Sequence, residues 1–84
     1  MKVTYETQIV GQCPEDDSTD IYHASFEAEE MVRIEDIQAA IAELPGGAVY
    51  QEVLTQDLAR SLPNCKVTTV GYHSGVKTTV VVAP

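Results

Sequence analysis

Gln12-Cys13-Pro14-Glu15-Asp16-Asp17-Ser18-Thr19-Asp20-Ile21-Tyr22 stands between two runs of alternating side chains. Upstream, Lys2 to Val10 sets Val3, Tyr5, Thr7 and Ile9 on one face and Lys2, Thr4, Glu6 and Gln8 on the other. That is the period of a half-buried strand, and Gly11 ends it. Downstream, Asp20 to about Ala28 sets Tyr22, Ala24, Phe26 and Ala28 against His23, Ser25 and Glu27. Two such strands joined by a polar loop predict an antiparallel pair. Within the loop, Pro14 has a fixed φ and pushes Cys13 into extended backbone, which holds the thiol at the loop edge. Asp20, seven residues on at a strand start, is placed to face that thiol across the loop.

Beyond a charged connection, Glu29 to Arg33, the period changes. Ile34, Ile37, Ile41 and Leu44 recur as one helical stripe, supported by Ala39, Ala40 and Ala42. Pro45-Gly46-Gly47 breaks the helix. A second helix is expected from about Ala48 to Leu62, with Val49, Val53, Leu54, Leu58 and Leu62 facing the core. Glu52, Gln56, Asp57 and Arg60 lie on its polar side, and Pro63-Asn64 stops it. Lys66 to Tyr72 and Val76 to Ala83 flank the tight-turn sequence His73-Ser74-Gly75, a hairpin signature. The order ββααββ predicts an α+β fold, a four-stranded antiparallel sheet with both helices on one face, as a single domain over residues 1–84. The other sheet face is expected to carry Tyr5, Val67 or Val80, depending on register. Covering that half-clothed face between subunits, or pairing strands across chains, predicts a homo-oligomer.

An 84-residue chain with one Phe and no Trp must build a small, aliphatic core. Thirteen acidic against five basic residues give a net charge of −8, which favours solubility and disfavours nucleic acid as a partner. No apolar run reaches membrane-spanning length, and Met1 to Val10 has no signal-peptide core. A cytoplasmic protein with two free thiols, Cys13 and Cys65, is therefore expected. Cys13, Cys65, His23 and His73 show no CxxC or HxxxH spacing, and no metal site is expected.

The element order resembles the tunnelling fold, or T-fold, whose members bind purine- or pterin-like rings at subunit interfaces. Within it, the chain resembles the 7-cyano-7-deazaguanine reductase family (QueF) and its amidinotransferase relatives. Their Cys-Pro motif with an Asp seven residues after the Cys is matched by Cys13, Pro14 and Asp20. Their Phe-His-Glu at the start of the second helix is matched by Tyr50, Gln51 and Glu52, and their Arg-Gly-Gly by His73, Ser74 and Gly75. The resemblance implies that Cys13 attacks the nitrile carbon of a purine-like base to give a thioimide, while Asp20 moves a proton to or from the nitrogen. Glu52 would accept hydrogen bonds from the ring, Glu35 would support it, and Gln51 and His73 would line the same site. It also implies an interface active site in a homo-oligomer.

Departures qualify the chemistry. The reductases carry lysines in the first helix as an NADPH signature, but Glu35-Asp36-Ile37-Gln38-Ala39-Ala40 has none. The amidinotransferases need no nicotinamide and fit that segment better. The residues also have purely structural readings: Glu52 and Glu35 oppose helix dipoles, Asp20 starts a strand and His73 belongs to a turn. A base-binding module without chemistry and a structural oligomerisation domain are the alternative functions.

Overall fold

A computed structural model describes residues 1–84. Strands β1 (Val3–Gln12) and β2 (Thr19–Ala28) pair antiparallel in a register running from Val3↔Ala28 to Gln12↔Thr19. After helices α1 (Ile34–Ala42) and α2 (Gln51–Ser61), strands β3 (Lys66–His73) and β4 (Val76–Val82) complete the sheet. Its order is β1-β2-β3-β4, antiparallel throughout, which is the expected ββααββ, α+β architecture.

The core lies between this sheet and the helices. Ile9, Tyr22, Ala24, Phe26, Ala28 and Val67 from the strands meet Ile37 and Ala40 of α1 and Leu54 and Leu58 of α2. Both helices therefore cover one face. Register corrects the expectation for the other. Tyr5 pairs with Phe26, Phe26 with Val67 and Thr69 with Val80, so Tyr5, Val67 and Val80 all lie on the helix-covered face. The bare face instead exposes Val10, Ile21, Tyr72 and Val81.

Two element boundaries and two helix faces differ from expectation for identifiable reasons. The second helix begins at Gln51 rather than Ala48, because Ala48 forms a parallel bridge to Gln12 and the Val49 N–H donates to the Gln12 carbonyl at 3.2 Å. Residues 48–50 thus remain extended and fasten the entry of α2 to the end of β1. The buried stripe of α2 is Gln51, Leu54, Thr55 and Leu58, while Val53 is 44% exposed. Spacing alone, 51-54-55-58, marked this face, but its two polar members hid it from a hydrophobicity count. In α1, Ile34 is likewise exposed while Ile37 and Ala40 are buried. Finally, His73 is a strand residue paired with Val76, and the turn is only Ser74 (φ 51°) and Gly75 (φ 82°). Positive φ at both central positions is what a two-residue hairpin loop requires.

Candidate functional site

The β1–β2 loop is fixed by its own hydrogen bonds. The Cys13 N–H donates to Ser18 O at 2.8 Å, and the Asp17 N–H donates to Cys13 O at 2.9 Å. Asp16 Oδ1 accepts from the Ser18 N–H at 3.0 Å and its hydroxyl at 2.6 Å. These two bonds hold the Asp16 carboxyl below its ordinary range. Asp17 takes a left-handed φ of 60°, which turns the chain back toward β2. Cys13 is thereby presented at a set position, half-buried.

Opposite it stand the start of β2 and the end of β3. The ligating atoms of Cys13, Asp20 and His73 all lie within 4.8 Å of one another. Asp20 Oδ2 accepts from the Tyr22 hydroxyl at 3.2 Å and lies 3.6 Å from His73 Nδ1. Burial, followed by the neighbouring Asp20 carboxylate, pushes the Tyr22 hydroxyl far above its ordinary pKa. The hydroxyl therefore serves Asp20 as a donor.

Gln51 anchors the imidazole. Its Nε2 faces three acceptors, Thr69 O at 3.2 Å, Thr69 Oγ1 at 3.1 Å and Thr78 O at 3.1 Å. An amide nitrogen must occupy that position, so Oε1 points the other way and accepts from His73 Nε2 at 2.8 Å. Thr55 completes the support, donating to Gln51 O at 2.7 Å and meeting Thr69 Oγ1 at 2.7 Å. No buried side-chain polar atom in the chain lacks a partner.

Cys13, Tyr22, Gln51, His73 and Thr78 border a cavity of about 320 Å³, walled also by Pro14, Val49, Tyr50, Glu52 and Ser74. Glu52 sits in the first turn of α2. Tyr50, immediately before that helix, donates to Glu15 Oε1 at 2.5 Å and so ties the Cys13 loop to the helix entry. The Glu15 carboxylate raises the Tyr50 pKa in turn. Larger hollows lie elsewhere, about 700 Å³ beside Met1 and Glu27–Val32 and about 420 Å³ beside α1 and Leu62–Cys65. Neither presents an accessible thiol beside a carboxylate, since Cys65 is buried.

The structure brings together five of the six site residues expected from sequence: Cys13, Asp20, Gln51, Glu52 and His73, with Asp20 reaching the cluster through its neighbours Cys13 and His73. Glu35 does not line this cavity and its carboxylate accepts from Arg33 at 2.9 Å. Tyr22, Tyr50 and Glu15 were missed as site residues. Tyr22 read as core because it alternates with core residues, yet its hydroxyl sits at a strand end beside Asp20. The first turn of α1 carries Glu35 and Asp36, and Arg33 is already engaged there. These residues do not fit an NADPH phosphate.

The fold matches that of a solved structure, the archaeosine synthase QueF-Like in its apo form. The TM-score is 0.82 at 24% sequence identity, over 96% of this chain and 90% of that one. That likeness establishes the T-fold architecture. No family model matches the sequence, and neither does any curated protein.

Proposed function

We propose that the chain acts on a nitrile-bearing 7-deazaguanine base, capturing it as a thioimide on Cys13. The observation that carries this reading is the meeting of the Cys13 thiol and Asp20 beside a cavity whose helical wall is Glu52. The Cys13 sulfur adds to the nitrile carbon, one C–N π bond opens, and the thiol proton passes to the nitrogen through Asp20. Asp20 is suited to this because the Tyr22 hydroxyl holds one of its oxygens while its neighbours are Cys13 and His73. Glu52 accepts from the donor edge of the ring, which lies against the Tyr50 face.

Release follows when an amine-class co-reactant attacks the thioimide carbon, breaks the C–S bond and returns the proton to Cys13, leaving an amidine. An acidic first helix suits this outcome better than hydride transfer from a phosphorylated cofactor. A net charge of −8 makes the free base or a small nucleoside a better substrate than a nucleic acid.

The functional unit in this reading is a homo-oligomer with interface sites. Only 16 of 84 residues are buried in one chain, and β1 and β4 are both edge strands. Incubation with 7-cyano-7-deazaguanine should add the mass of one base to the intact protein, and Cys13→Ala should abolish the adduct. Base binding that survives Cys13→Ala while no adduct ever forms on the wild type would leave a binding module in place of an enzyme.

A further inference from the structure

The Gln51 amide dictates which nitrogen of His73 carries the hydrogen. Because Nε2 donates to Gln51 Oε1, the neutral ring turns a bare lone pair, on Nδ1, toward Asp20 Oδ2 at 3.6 Å. Cys13 completes a set of three electron-pair donors, all within 4.8 Å of one another. The Tyr22 hydroxyl donates to the same Asp20 oxygen at 3.2 Å. Three lone pairs converging in a strongly acidic chain call for a cation at their centre.

We infer that Cys13, Asp20 and His73 form a binding site for a divalent transition-metal ion of the zinc type. A thiolate and an imidazole exclude magnesium and calcium, which take oxygen ligands, and three protein ligands of this kind suit a tetrahedral ion. Two of the three, Cys13 and His73, also line the cavity, where a small molecule could supply a fourth ligand. Charge closes as well: thiolate and carboxylate offset the two positive charges of the ion, and the thiol proton leaves to solvent as the S–metal bond forms. The supports are those that metal ligands require. His73 donates its other nitrogen's hydrogen to an immobilised amide, and Asp20 accepts from Tyr22. The site differs from any grouping the sequence offered, since Cys65 is in the core and His23 contacts Glu6 at 2.8 Å on the opposite sheet face.

This assignment goes beyond the nitrile reading, and the two states exclude each other because they use the same sulfur. Cobalt(II) titrated into the full chain, with no base present, should give the visible bands of a tetrahedral ion and a sulfur-to-metal charge-transfer band, both displaced by zinc. Cys13→Ser should remove the charge-transfer band, and His73→Ala should weaken binding. Tyr22→Phe, which keeps the ring but loses the donor to Asp20, should cost about 10–100-fold in affinity. A cobalt spectrum without a sulfur band, or zinc affinity unchanged in both Cys13→Ser and His73→Ala, would overturn the site. Adduct formation measured separately in excess chelator tests the nitrile chemistry, so either idea can fail while the other stands.

Discussion

Cys13 and Cys65 are the same residue type in opposite circumstances. Cys65 is 2% exposed, and burial pushes its thiol pKa up. Cys13 is half-buried and borders the cavity. An aromatic disulfide reagent should therefore titrate one thiol in the native protein and two after denaturation, and Cys13→Ser should leave the native protein unreactive. Two fast thiols in the native state would contradict the core assignment of Cys65. Tyr22 gives a second test, in alkali. Its folded pKa lies above the ordinary value of 10.0, so the folded chain keeps a proton that the unfolded chain gives up. Stability should fall as pH rises above that value, because there the native state binds more protons than the unfolded one, with the raised Cys65 thiol starting the decline from about its ordinary 9.0. Chemical denaturation across the alkaline range should reveal the fall, and Tyr22→Phe should make it shallower. These two residues also mark what was legible. The Cys13–Asp20 pair could be read from a proline and a spacing, which are local facts. The roles of Tyr50 and Glu15 could not, because they depend on a contact between residues 35 positions apart, while Tyr22, two residues from Asp20 on the same strand face, was hidden by its place in the core pattern.

At the level of elements, the sheet is shaped to accommodate one ring. A Cβ on Gly71 would fall 2.5 Å from Tyr22 Cδ1 and 2.6 Å from Cε1, and one on Gly11 would fall 2.9 Å from Cε2. The two glycines, on β3 and β1, leave the space in which the Tyr22 ring lies across the sheet. Gly71→Ala should cost about 1–3 kcal/mol in urea denaturation, since a fully buried ring must shift. It should also lower adduct yield, because the same ring carries the donor to Asp20. A variant as stable and as active as the wild type would remove this account. A glycine inside a Val/Thr-rich strand was a readable sign of close approach, although its partner was not. Helix α2 was misread in the same way. Gln51 and Thr55 are buried because β3 and β4 supply Thr69 and Thr78 to receive them, and that complement appears only with the tertiary structure. Alternation in β1 and β2 and the Ser74-Gly75 turn were legible because period and turn chemistry are local.

For the whole molecule, the sheet has a face and two edges without cover. Val10, Ile21, Tyr72 and Val81 are each more than half exposed on the face opposite the helices. Sedimentation should give a mass several times that of one chain, and Val81→Lys should shift the population toward smaller species; a monomer at all concentrations would refute the assembly. No helix is long and apolar enough to cross a membrane. One short connection then carries unusual weight. Because Gln12 is bridged to Ala48, the Cys13 loop and the first turn of α2 hang from a common hinge point. Pro45-Gly46-Gly47 joins α1 to that point. Breaking the bridge would let the two walls drift apart, and the cavity between them would widen without altering a single residue that lines it.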